Sequence, residues 1–212
     1  MFIRYAVPIA LLAIAVPSPL PAGLFGPPKF RIEQSDDRFS TDGLTTVSGT
    51  GNRISRKSLA GGVHIDSSGI FVEPVAFVRK QDRSVAALRL FIHNETSLES
   101  NGSTDVLNLG NPIRLSFVTG EGEPIGLLVH RSARDTHGPA TYNQFSNSAS
   151  IHVSESGFAD VTPEQYQRIM NAPQLIARIE GDRRSMTYEA KDISPSFQVN
   201  LRSFWAEYLS KR

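Results

Sequence analysis

Strand-like runs separated by turn residues fill the chain before residue 162, and this pattern limits the possible folds more than any other feature. Residues 85–93 (VAALRLFIH) are rich in strand-favouring types, and residues 113–119 (IRLSFVT) alternate apolar and polar side chains. A parallel sheet would need a helix between successive strands, and none is readable before Thr162. The sequence therefore predicts a mainly β fold, an antiparallel β-sandwich of roughly seven to nine strands.

Two hairpins and one interrupted strand can be predicted within this fold. Residues 113–119 and 124–130 flank the turn Gly-Glu-Gly-Glu, and residues 175–180 and 185–190 flank Gly-Asp-Arg-Arg. Two strand-like runs joined by a few turn residues are typical of a hairpin. Pro74 interrupts an apolar run and cannot donate a ladder hydrogen bond, which predicts an edge strand or a bulge there.

Two short helices are predicted near the C-terminus, packed on the sheet. Thr162 can cap a helix that begins at Pro163, with Gln165 completing a capping box. A second helix is predicted to open at Ser194 and Pro195. Its apolar residues recur at helical spacing, which favours the core over a carbohydrate-stacking face: Phe197, Leu201, Phe204, Trp205, Tyr208 and Leu209.

The N-terminal residues follow the order of a secretory signal. A positive charge at Arg4 precedes the uncharged run YAVPIALLAIAV, and three prolines follow before Ala22. The apolar run is shorter than the ~20 residues of a membrane-spanning helix. We therefore predict a signal peptide over residues 1–22, a linker over 23–29 and a single β-rich domain over 30–212. An uncleaved anchor in the inner membrane is the alternative, because Leu20 is large for its place near the cleavage point.

Charge and cysteine counts exclude several classes of protein. The chain has 22 Lys and Arg against 21 Asp and Glu, without the basic excess that favours nucleic-acid binding. It has no cysteine, which excludes disulfides, thiolate metal ligands and a cysteine nucleophile. We expect a periplasmic or secreted protein with no cofactor and no nucleic-acid partner, in contact with a membrane only if the leader is uncleaved.

The C-terminal quarter of the chain carries a pattern of its own. It reads VSESGF from Val153, VTPEQYQRIMNA from Val161, LIARIEG from Leu175 and F-x-x-N-L-R-x-F from Phe197. This arrangement resembles that of uncharacterised secreted or periplasmic bacterial proteins, in which a T-P-E-x helix is followed by a strand and a Phe-rich helix. The resemblance implies a β-sandwich-like fold with packed helices and an envelope location. It implies no activity.

Two long polar stretches, residues 94–111 and 131–147, are predicted to be exposed loops. Recognition residues often lie in loops on a rigid scaffold. The leading hypothesis is therefore an exported, non-enzymatic protein-interaction module whose partner is another envelope protein. The candidate binding residues in these loops are Asn94, Glu95, Asp105, Arg131, Arg134, Asp135 and His137.

A hydrolase of the envelope, using either a metal or a Ser/His/Asp triad, is the alternative hypothesis. His64 with Asp66, and His93 with Glu95, are pairs two residues apart on predicted strands, so each pair shares a face. Imidazole and carboxylate groups suit zinc and similar ions, and the four could converge on one metal if the strands were neighbours. Solvated or backbone-bonded histidines are favoured over a metal site, because no paired-histidine motif is present.

A triad would have to assemble from residues far apart in the chain, with His130 or His137 near Asp135. The sequence contains neither a G-x-S-x-G nor an S-x-x-K motif. A small-ligand site inside the fold is a third hypothesis, for which no set of residues stands out.

Overall fold

The computed structural model describes residues 29–36, 42–57, 69–100, 109–120, 122–144 and 148–210. The predicted signal peptide, nearly all of the predicted linker and the predicted strand that carries His64 and Asp66 lie outside these residues, so these stay predictions.

Nine antiparallel strands and two short helices make up the fold. The strands are hydrogen-bonded neighbours in the order β1-β2-β3-β4-β7-β6-β5-β8-β9. The prediction of a mainly β, antiparallel fold with two short C-terminal helices is confirmed. The elements are β1 (Arg31–Ser35), β2 (Leu44–Thr50), β3 (Gly69–Arg79), β4 (Val85–Ser100), β5 (Pro112–Val118), β6 (Ile125–Asn143), β7 (Ser148–Asp160), α1 (Pro163–Asn171), β8 (Ile176–Gly181), β9 (Ser185–Tyr188) and α2 (Pro195–Phe204), which continues into a π-helical turn (Trp205–Leu209).

One hydrophobic cluster joins the two halves of the sheet to the helices. It contains Val72 from β3, Leu90 from β4, Phe117 from β5, Ile179 from β8 and Phe204 from α2. Burial of this much aliphatic and aromatic surface is the main stabilising contribution to such a fold. On β3, β4, β7 and β6 we call the face that carries this cluster the inner face, and the opposite face the outer face.

The two halves of the sheet are joined through β6. Its first residues, Ile125 to Leu128, pair with β5, and the strand from Val129 onwards pairs with β7. A register shift separates His130 from Ala133, and Arg131 within it has a φ of 52°. This bulge redirects β6 from one half of the sheet to the other.

Of the two alternatives predicted for Pro74, the edge strand is wrong, because β3 is an inner strand, whereas the interruption expected of a bulge is present. Ser48 pairs with Val75 and Arg53 with Phe71, so one extra residue lies opposite this part of β3. The Val72 N–H donates to the Asn52 carbonyl, 3.0 Å away, on the β2 side of β3. Because strand N–H groups alternate in direction, the nitrogen of Pro74 faces the same side. The last pair between β2 and β3 is Ser48 with Val75, the residue that follows Pro74. The next residue of β2, Gly49, lies against the proline ring, where a Cβ on Gly49 would be only 2.9 Å from the ring. Pro74 therefore lacks its N–H at a point where β3 has no β2 residue to pair with, and no hydrogen bond of the sheet is lost.

The predicted hairpins and the predicted capping box at the start of α1 are confirmed. β5 pairs with β6, and β8 pairs with β9, in antiparallel register. Thr162 and Gln165 form both hydrogen bonds of a capping box at the start of α1. Phe197, Leu201 and Phe204 on α2 are buried, as their helical spacing predicts.

Residues 52–57 fasten the N-terminal half to the segment before α2. The Ser194 N–H donates to the Ile54 carbonyl at 2.8 Å. The ammonium of Lys57 lies 3.1 Å from the carboxylate of Asp192 and holds the pKa of that group below its usual value. Both contacts span more than 130 residues of sequence, so this tether forms only when the two ends of the domain come together.

β4 and β6 are longer than the sequence predicts. Residues 94–100 and 131–143, predicted as parts of loops, lie in β4 and β6. These segments are rich in Ser, Thr and Asn, and the search for strands relied on apolar alternation. Strands that extend beyond the core need no apolar face, which is why their sequences resemble loops.

Among the described residues, no helix is long and apolar enough to cross a membrane.

Candidate functional site

The candidate residues on β4 and β6 are brought together by β7, which lies between these two strands. In the register, Asn94 is opposite Glu155 and Arg134 is opposite the same glutamate from the other side. Glu95 is opposite Ser154, which is opposite Asp135. Residues paired across neighbouring strands share a face of the sheet, so the candidates divide into an inner and an outer group.

The inner group surrounds Glu155, whose side chain is fully buried with an exposed fraction of 0%. One carboxylate oxygen accepts from the side-chain amide of Asn94 at 2.8 Å and from the Leu109 N–H at 3.0 Å. The other accepts from the Gly110 N–H at 2.7 Å. The Arg134 guanidinium lies 4.0 Å from the same carboxylate. Three N–H donors and a nearby cation meet the requirement that a buried charge be paired and hydrogen-bonded.

This arrangement assigns Asn94 a structural role. Its side chain is buried, and its amide is used to bind Glu155, so it presents nothing to a partner. The prediction that Asn94 lies in an exposed loop is wrong. Arg131 and Asp135 are exposed, as expected of binding residues, although both lie on β6 and not in a loop.

The outer group centres on His93. Its Nε2 lies 2.6 Å from an Oε1 of Glu95, two residues further along β4. The predicted shared face of this pair is therefore correct. Phe91 stacks on the His93 ring from the other side along the strand, with centroids 5.8 Å apart, and Phe158 packs against Phe91 at 4.7 Å. The ring is thus held by an aromatic wall and an acidic neighbour.

Glu73 adds a second carboxylate beside this ring. It is nearly buried on the outer face of β3, and its Oε1 accepts from the Gly51 N–H at 2.6 Å. Burial raises the pKa of Glu73, while the Gly51 hydrogen bond and the positive charge that His93 can carry both oppose that rise. Glu73 therefore shares with Glu95 the role of an acidic neighbour to His93.

The outer face does not assemble a catalytic triad among the described residues. Ser156 is directly opposite His93 in the register, yet no hydrogen bond joins its hydroxyl to the ring, whose Nε2 is bound to Glu95. In the part of the chain that the structure describes, no three His, Asp or Glu side chains are grouped to hold a metal. His64, Asp66 and Asp105 lie outside the described residues, as does the side chain of His137, so the hydrolase hypothesis stays a prediction.

Beyond this cluster, β4, β6 and β7 continue as a three-stranded extension. β3 last pairs with β4 at Gly69 and Glu95, and β5 last pairs with β6 at Arg114 and Leu128. We call residues 96–100 of β4, 136–143 of β6 and 148–153 of β7 the arm. Within the described residues, the strands of the arm pair only with one another, which leaves one backbone edge of β4 and one of β6 without a strand partner.

The comparisons with known proteins give no family for this chain. No family model, no curated protein and no solved structure matches it. The resemblance of its C-terminal quarter to exported bacterial proteins therefore stays a prediction.

Two central residues, Glu73 and Glu155, were not among the sequence candidates. Glu155 has a readable signal: it alternates with Val153, Gly157 and Ala159, so a period of two places a carboxylate on the buried face of a strand. Glu73 is the lone charge within the apolar run of β3. For Glu155, recognising the segment as a strand is the necessary first step.

Proposed function

We propose that this chain is an exported, non-enzymatic protein of the bacterial envelope that binds another protein through the arm. The partner adds an extended segment to the edge of β4 that has no strand partner among the described residues. The observation that carries the proposal is that, among the described residues, β4 continues through residues 96–100 beyond its last pair with β3, Gly69 and Glu95. The proposed export and envelope location rest on the signal-like order of residues 1–22.

An unpaired strand edge favours this mode of binding. It presents a row of N–H and C=O groups that an extended peptide can satisfy, and main-chain hydrogen bonds supply much of the affinity in such complexes. Proteins usually protect exposed edges with charged residues or proline. Residues 96–100 read TSLES, with Glu99 as the only charge and no proline. Five residues offer an edge of about 17 Å.

The direction of the edge groups follows from the register. The Val72 N–H faces β2, so the N–H of Phe71, one residue earlier on β3, faces β4. Phe71 and His93 are therefore a hydrogen-bonded pair, and the His93 N–H faces β3. The pairing of β4 with β7 is unbroken from Arg89 to Ser100. The N–H groups of Ser97 and Glu99 therefore face the unpaired edge, whereas that of Leu98 faces β7.

This alternation supplies an experiment with a matched control. A photo-crosslinking amino acid at position 99 is expected to form a reproducible adduct with one envelope protein in intact cells. Ser97→Pro removes an edge donor without touching the β4–β7 ladder, so the adduct should disappear while the melting temperature stays close to that of Ser97→Ala. The same crosslinker at Val199, which is exposed on α2, controls for chance proximity.

The outcome distinguishes strand addition at β4 from chance proximity and from binding elsewhere on the domain. An adduct that survives Ser97→Pro, or one that forms equally from position 199, would refute strand addition at β4. The absence of any specific adduct from position 99 in repeated trials would count against a protein partner at the arm. Mass spectrometry of the N-terminus of the same sample tests the proposed cleavage after Ala22.

A further inference from the structure

A pocket of about 240 Å³ opens at the end of the sheet opposite the arm. Val47 of β2 and Val78 of β3, both buried, contribute an apolar lining. Three cationic residues also line it, and all three are exposed: Arg79, Lys80 and Arg83, at the end of β3 and in the turn to β4. Gln34 and Thr45 complete the lining. A pocket that combines aliphatic side chains with a cationic rim suits a ligand that is both apolar and negatively charged.

The positive charges on this rim are unequally compensated. One guanidinium nitrogen of Arg79 donates to the Ser84 hydroxyl at 3.0 Å. The ammonium of Lys80 lies 3.9 Å from an Asp36 carboxylate oxygen, a loose and exposed ion pair. Within the described ranges, no hydrogen bond or ion pair engages the guanidinium of Arg83. That group remains available to an anion.

The backbone at Arg83 gives a second, independent reason to assign a role to its side chain. Its φ is 60°, in the left-handed region that glycine adopts readily and most other residues avoid. The turn itself is held by backbone hydrogen bonds, with the Arg83 N–H donating to the Arg79 carbonyl at 2.9 Å. Glycine would therefore form this turn more easily than arginine, so the turn does not account for the guanidinium.

We propose that this pocket binds an anionic amphiphile, a molecule with a phosphate or carboxylate head and a short apolar chain. Arg83 and Lys80 bind the head group, and the chain lies against Val47 and Val78. The site is separate from the arm, so it can be present whether or not the arm binds a protein.

The experiment is calorimetric titration of the full chain with octyl phosphate below its micelle concentration. Inorganic phosphate lacks the chain and octanol lacks the charge, so both should bind much more weakly than octyl phosphate. Arg83→Gly should weaken octyl phosphate binding by about tenfold or more, the loss expected for one charge-assisted contact. Because glycine suits this φ, the variant should fold at least as well as the wild type.

Arg131→Gly is the matched control. Arg131 is the other described non-glycine residue with positive φ, it is exposed, and it does not line the pocket. This variant should bind octyl phosphate as the wild type does. Equal affinity of the wild type and Arg83→Gly, or no saturable binding to either, would overturn the proposal.

Vesicles distinguish the two sources of such a head group. Binding to phosphatidylglycerol vesicles that falls in Arg83→Gly, and is absent with phosphatidylcholine, identifies a lipid head group as the ligand. Arg83-dependent binding of soluble octyl phosphate without vesicle binding identifies a free ligand. Vesicle binding that is unchanged in Arg83→Gly, together with no octyl phosphate binding, would refute the pocket as the site.

Discussion

Replacement of Glu155 by glutamine tests whether the buried carboxylate fastens residues 109–110 to the sheet. The carboxylate accepts three hydrogen bonds, from the Asn94 side chain and from the backbone N–H groups of Leu109 and Gly110. Glutamine keeps one acceptor oxygen and replaces the other with a donor. At least one of these N–H groups then faces another N–H and loses its acceptor inside the protein.

The magnitude follows from the number of contacts changed. Hydrogen bonds to a charged group contribute about 1.5–3 kcal/mol each, and a buried donor without an acceptor costs about 1–3 kcal/mol. We expect Glu155→Gln to lower the free energy of unfolding by about 3 kcal/mol. In a domain of this size that corresponds to a fall of ~6–12 °C in melting temperature. Glu155→Ala, which removes every acceptor, should cost about 5 kcal/mol.

Urea unfolding at neutral pH, followed by the fluorescence of the single tryptophan, Trp205, measures the change. Glu207→Gln, at an exposed glutamate, is the control and should change stability by less than about 0.5 kcal/mol. Hydrogen exchange adds a local measurement. Relative to the wild type, Glu155→Gln should accelerate exchange of the Leu109 and Gly110 amides more than exchange of other buried amides. A variant as stable as the wild type, with unchanged exchange at these two amides, would refute the reasoning.

Three further results are expected from single substitutions. Tyr188→Phe should be neutral or stabilising by up to about 1 kcal/mol in urea unfolding, because the buried Tyr188 hydroxyl has no hydrogen-bond partner among the described residues. Tyr166→Phe, which removes a hydrogen bond to a backbone carbonyl, should instead lower the free energy of unfolding by about 1 kcal/mol, and equal effects of the two changes would contradict this. Burial raises the pKa of Glu73, so its protonation stabilises the fold below the unfolded value of 4.5 and that contribution is lost as pH rises through the folded pKa. Wild type should therefore lose stability relative to Glu73→Gln between pH 4.5 and neutral pH in paired melting curves, and parallel curves would exclude the effect. Gly181→Ala should strongly destabilise the domain, because its Cβ would overlap the Leu109 carbonyl oxygen, and an unchanged melting temperature would rule out that close approach.

Local sequence signals predicted the parts of the fold in which the chain interacts with near neighbours. The capping box at Thr162 and the hairpin formed by β8 and β9 depend on residues a few positions apart, and both are confirmed. The position of Pro74 could not be predicted, because it depends on where β2 ends its pairing. That point is set by contacts more than twenty residues away in sequence.

The candidate site was predicted less well, for a physical reason. Polar strands and loops have similar compositions, and only pairing with a neighbour distinguishes them. The His93–Glu95 pair was found because two-residue spacing on a strand is a local property. The contact between Asn94 and Glu155 spans 61 residues, and no feature of either segment alone indicates it.

The tether between residues 52–57 and the segment before α2 has a consequence for the order of folding. Ile54 and Lys57 are synthesised early, but Ser194 and Asp192, which they contact, leave the ribosome more than 130 residues later. Contacts of such long sequence separation form late, because the intervening chain must first be ordered. The tether therefore cannot close until Ser194 has been made. A protein that is threaded across a membrane before folding needs this delay, so a late-closing tether is compatible with the export that we propose.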